Sequence, residues 1–109
     1  MKVNIGRYYK NGKERKVSVT VDDYDTYNLD VTLAEVILPA LKKYLEVSES
    51  IIDLDAPKFS GDLTERQALE ECISAFDKIV TWDFKDEDDF EKVQRGLNLF
   101  AEIYLSLWN

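Results

Sequence analysis

From Leu33 onward the apolar residues return every three or four positions, in three separate runs broken by polar stretches. Leu33, Val36, Ile37, Ala40, Leu41, Tyr44 and Leu45 make the first run. Leu69, Cys72, Ile73, Phe76, Ile79 and Val80 make the second. Phe90, Val93, Leu97, Phe100, Tyr104 and Leu107, widened by Ile103, make the third. A period near 3.6 residues puts each run on one face of a helix. Helices with an apolar face must bury it on one another, so the spacing predicts helices over about 33–46, 65–80 and 87–107. Pro39 lies inside the first. It removes one amide donor and crowds the carbonyl of Glu35, which predicts a kink held by tertiary packing.

Punctuation supports these boundaries. Asp30 or Thr32 is a candidate N-cap for the first helix, with Thr32 and Glu35 at capping-box spacing. Asp62 or Thr64 serves the second, with Glu65 or Gln67 three residues on. Asp86 to Glu91 opens the third with acid at its positive end. Residues 46–64 carry Pro57, Gly61 and several Ser and Asp, and read as a loop with an extended piece at Ile51-Ile52. Gly96 interrupts the third helix at a cost of ~1 kcal/mol against alanine, so something must approach it closely. The first helix or the N-terminal segment is the expected neighbour.

The first twenty residues have a different period. Lys16 to Val21 alternates strictly, placing Val17, Val19 and Val21 on one face, and Asn11-Gly12 suits a tight hairpin turn. Val3, Ile5 and Tyr9 answer from the opposite strand. A lone two-stranded ribbon is marginal in water, so these valines are expected to be buried on the helices. The predicted fold is therefore α+β, one domain over 1–109: a hairpin over 1–21 packed on a three-helix bundle over 29–109.

Several chemistries are excluded by composition. There is no histidine, which removes histidine bases, Ser-His and Cys-His nucleophiles and histidine metal sites. The single cysteine, Cys72, rules out an intrachain disulfide and reads as a small buried hydrophobe. No P-loop, dinucleotide fingerprint or nucleophile elbow is present. No apolar run is long enough to span a bilayer, and the opening residues show no signal-peptide pattern. No enzyme, cofactor or metal is expected. The net charge of −8 is unevenly spread: residues 1–20 carry +5 and residues 21–109 carry −13. An acidic body argues against direct nucleic-acid binding and favours basic protein surfaces.

Two segments are candidate sites. Tyr24 to Asp30 packs Tyr24, Asp25, Tyr27 and Asp30 with a hydroxyl and an amide just before a helix start. Capping explains the polar groups; exposed tyrosines would also suit a binding surface. Asp83 to Glu91 holds six carboxylates, among them Asp86, Glu87, Asp88 and Asp89. A solvated helix start explains them, and an electrostatic contact with a basic partner is the functional reading. The order lacks the D-x-D-x-D-G pattern of a calcium loop. The Arg/Lys and Tyr8-Tyr9 mixture near the N-terminus would touch phosphate or stack on a base, or would merely blunt a hairpin edge. Tyr104, Leu107 and Trp108 make the last helix apolar to its end, implying docking on the domain or a homodimer through that helix.

The segments YDTYNLDVTLAEVILPALKKYL (24–45), ALEECISAFDKI (68–79) and VQRGLNLFAEIYLSLWN (93–109) resemble a family of small tailed-bacteriophage proteins with no established activity. The family's Lys-His-Gly-x-Pro-like stretch after the first helix is absent here, and Val31 stands where its members tend to carry histidine. The resemblance implies a phage origin and the host cytoplasm, and assigns no activity. Joined to the acidic body and the missing catalytic groups, it leads to an expected role: a non-enzymatic binder or inhibitor of a host or anti-phage defence protein with a basic surface. The alternative is a small-ligand or nucleotide-binding protein using the basic hairpin and Tyr24–Asp30. A virion structural role is a third possibility.

Overall fold

The computed structural model describes residues 1–8, 15–56 and 63–108. Strands β1 (Lys2–Ile5) and β2 (Val17–Thr20) pair antiparallel and are followed by a 3₁₀ turn (Asp23–Thr26). Three helices come next: α1 (Leu29–Ser48), α2 (Glu65–Thr81) and α3 (Glu87–Ile103), with a last 3₁₀ turn at Tyr104–Ser106. The architecture is α+β, a hairpin followed by three helices. The Asn11-Gly12 turn and the Asp62 cap lie outside the described residues, as do Pro57 and Gly61.

α2 packs on both α1 and α3. Its N-terminus is a capping box: Thr64 Oγ1 accepts from the Gln67 amide at 3.1 Å, and Gln67 Oε1 accepts from the Thr64 amide at 3.0 Å. Leu69, Cys72, Phe76 and Ile79 are buried as the spacing predicts, joined by Ala68 and Ala75. The close approach at Gly96 comes from α2, not from α1 or the hairpin. A Cβ on Gly96 would stand 2.4 Å from the Ala75 Cβ and 2.9 Å from the Glu71 carbonyl oxygen. Cys72 is fully buried and its thiol faces the Gly96 carbonyl at 3.6 Å. Burial pushes that thiol up to about 11.

On the outer helices the buried faces are rotated from the predicted ones. α1 starts at Leu29 with Asn28 at the cap position. Asp30 and Thr32 therefore lie within its first turn and do not cap it; Asp30 accepts from the Val31 amide and Thr32 donates to the Asn28 carbonyl. Ala34, Leu38, Leu41 and Ser48 are buried, whereas Leu33 and Val36 are exposed. α1 runs through Pro39 as one element. In α3 the core takes Val93, Gly96, Leu99 and Ile103, with Leu97 and Phe100 half-buried and Phe90 and Tyr104 exposed.

The larger correction concerns the hairpin. Val3 pairs with Val19 and Ile5 with Val17, so four apolar side chains share one face. They are 40–60% exposed, Val21 is also exposed, and no strand residue belongs to the helical core. Among the described residues neither strand packs on a helix. The anchor is at the chain start, where the Met1 amine meets Asp25 Oδ2 at 2.7 Å. Among the described residues this sheet has no second layer.

Candidate functional site

The eight residues singled out from the sequence fall into two places that the fold does not join. The 3₁₀ turn lies against α1, and α3 lies against α2; no contact links the turn to α3 among the described residues.

At the first place the carboxylates are largely structural. Asp25 is buried, holds the Met1 amine and accepts from the Asp22 amide at 2.8 Å. The amine beside it, with that backbone donor, keeps its carboxyl below the ordinary range. The reading of Asp25 as a contact residue is therefore corrected: its oxygens serve the hairpin anchor. Asp30 is exposed and occupied with the neighbouring amide. The tyrosines differ. Tyr27 is 76% exposed, and Tyr24 is also exposed while donating to Asp22 Oδ2 at 3.0 Å. That bond holds the Tyr24 phenol above its usual value. Tyr8 is also exposed, with the Arg15 guanidinium 4.3 Å from its ring centroid.

At the second place the acidic run divides. Asp86 caps α3, accepting from the Asp89 amide at 3.1 Å. Asp89 is only 8% exposed, accepts from the Lys85 amide at 2.8 Å and pairs with Lys78 Nζ at 3.2 Å. The Lys85 amide first, and the Lys78 ammonium second, hold its carboxyl below the ordinary range. Asp89 thus ties the start of α3 to the end of α2, and its reading as a surface contact is also corrected. Glu87 and Asp88 are exposed, as are Asp83 and Glu91.

Beside these exposed acids stands an aromatic group formed by Trp82, Phe84 and Phe90. Trp82 meets Phe84 edge-on at 4.9 Å between centroids, and Phe84 stacks on Phe90 at 4.5 Å. Trp82 and Phe90 are each 58% exposed. Trp82 ends α2 in the left-handed region, with φ of 53°. Its backbone amide and that of Asp83 close on the Lys78 carbonyl, a helix ending usually made by glycine. A side chain there costs about 1–2 kcal/mol of backbone strain. The signal available in the sequence was the W-D-F spacing followed by Phe90 on the first turn of α3.

The clamp on the 49–56 loop was also missed. Arg66 reaches Glu49 at 2.8 Å and Asp55 at 3.0 Å, and its amide donates to the Leu54 carbonyl. Leu54 is thereby set into the core. At the chain end Leu107 is half-buried against the core while the Trp108 ring is exposed. Among the described residues no group of acidic or cysteine side chains converges to hold a metal ion, and no helix is long and apolar enough to cross a membrane. In comparison with known proteins, no family model, no curated protein and no solved structure matches this chain.

Proposed function

We propose that this is a non-enzymatic phage protein that binds a host or anti-phage defence protein through a basic surface, and so inhibits or redirects it. The observation that carries the reading is the corner between α2 and α3. There two half-exposed aromatic rings, Trp82 and Phe90, stand among the exposed carboxylates Asp83, Glu87, Asp88 and Glu91. Rings supply contact area and cation–π attraction for arginine or lysine, and the acids steer such a partner in. Tyr24 and Tyr27 form a second exposed aromatic place, in the turn before α1. The alternative, a ligand site on the basic hairpin and Tyr24–Asp30, retains those tyrosines as stacking groups, but Asp25 is already paired.

The test compares baits in host lysate: the wild-type chain, Glu87→Lys/Asp88→Lys and Trp82→Gly. Glycine relieves about 1–2 kcal/mol of left-handed strain, against the lost edge contact with Phe84, about 0.5–1.5 kcal/mol, and the lost cover of the partly buried ring. The melting temperature of each bait is therefore measured, and folded baits are compared. A partner retained by the wild type and lost from both variants supports the proposal. A partner retained equally by all three removes the corner as its site.

A further inference from the structure

Among the described residues two apolar faces are uncovered, and they do not cover each other. One is the hairpin face of Val3, Ile5, Val17 and Val19. The other is a stripe on α1: Leu29, Leu33 and Val36 are 42%, 46% and 41% exposed, opposite the buried Ala34–Leu38–Leu41 side. Helical spacing of four and three puts those three side chains in one row. The radius of gyration, 15.7 Å, exceeds the ~13 Å expected for a domain of this length, as a hairpin standing off its helices requires.

We infer that a second copy of this chain covers both faces: each hairpin lies on the Leu29–Leu33–Val36 stripe of the other copy, in a closed two-fold arrangement. Three observations select this occupant. Charge is complementary, because residues 1–20 carry +5 while residues 22–36, which lead into and bear the stripe, hold Asp23, Asp30 and Glu35 beyond the two carboxylates at the Met1 amine, and no cation. Area suffices, because both faces together expose several hundred Å² of apolar surface per copy, of the order of the ~800 Å² that each partner gives to a standard interface. A two-fold pairing would close, because reciprocal contacts between each hairpin and the stripe of the other copy satisfy all four faces, whereas one-way contacts would propagate. The Met1–Asp25 anchor keeps each hairpin beside the start of its own α1, not upon its stripe. The pairing leaves the acidic α2–α3 corner out of the interface and does not depend on what that corner binds.

The test is sedimentation of the full chain over a wide concentration range, with Val19→Asp, Leu33→Asp and an equimolar mixture of the two variants. The wild type should sediment as a dimer. Each variant should dissociate at least about tenfold more readily, with helical circular dichroism unchanged, since both positions are exposed in the single copy. The mixture should regain association, because a mixed pair restores one intact hairpin-on-stripe contact. A monomeric wild type overturns the inference. So does a dimer indifferent to both substitutions, which would place the contact elsewhere, such as at Trp108. Sensitivity to only one of them, or no recovery in the mixture, also overturns it. Hydrogen exchange on the unaltered chain gives a measurement that needs no variant. Protection of residues 17–20 and 29–36 should rise together with concentration, and protection independent of concentration contradicts the pairing.

Discussion

Gly96 shows how one missing side chain sets the distance between two helices. In isolation, Gly96→Ala would favour the helix by ~1 kcal/mol. Here the new methyl would meet Ala75 at 2.4 Å and the Glu71 backbone at 2.9 Å, and overpacking of this kind costs about 1–3 kcal/mol. The overlap wins, so Gly96→Ala should lower the melting temperature; an unchanged or higher value would mean that α2 and α3 are less close. The buried carboxylates make a second case. Asp25 and Asp89 are held below their ordinary value of 3.8 by bonds present only in the folded chain. Their contributions are complete above that value and disappear as pH falls through the folded one. The Met1 amine is raised above 8.0, chiefly by its bond to Asp25, so its share is present below pH 8.0 and is lost as pH rises through the folded value. The stability difference between wild type and Asp89→Asn should therefore shrink as pH drops below about 4. Hairpin amide protection should fall at both extremes in the wild type and stay uniformly low in Asp25→Asn. Equal pH profiles for wild type and variants would contradict this assignment.

Among the elements, α2 was the most legible and α1 the least. A helix packed on two neighbours buries a wide face, so nearly every apolar residue of α2 that shares a period lands in the core. α1 is apolar on more than one side, and periodicity cannot say which row is covered. The predicted run mixed the buried Leu41 with the exposed Leu33 and Val36. Cap chemistry was readable at Thr64, where a side chain does the work; Asp86 was read only as one acid of a helix start, and the reading failed at Asn28, which makes no side-chain capping bond. The 49–56 segment reads as polar loop because its one core residue, Leu54, has no periodic neighbour. Its placement depends on Arg66, eleven residues from Asp55. Leu54 is 1% exposed, so Leu54→Ala should cost about 2–5 kcal/mol in denaturant unfolding. A loss below 0.5 kcal/mol, the size of an ordinary surface change, would show the loop to be uncoupled from the core.

At the scale of the molecule, the sequence carried the class and order of elements but not the destination of the hairpin. Alternation in Val17-Val19-Val21 shows that a face is apolar, and nothing local states which surface receives it. The candidate site was half legible for a similar reason. Composition located the acids, but only tertiary contacts separate Asp89, spent on Lys78 and Lys85, from the free Glu87 and Asp88. The aromatic group of Trp82, Phe84 and Phe90 spans a turn, so no helical or strand period marks it. What emerges is a small acidic chain whose exposed aromatic-and-acid corner faces solvent while its catalytic inventory is bare of histidine. The most direct test of that corner as the proposed partner surface is the association rate with a purified partner of the proposed kind, measured across salt concentrations for wild type and Glu87→Lys/Asp88→Lys. The account expects a wild-type rate that falls steeply with salt and a charge-reversed rate that is slower and nearly flat. An association rate insensitive to salt and equal in the two proteins would contradict it.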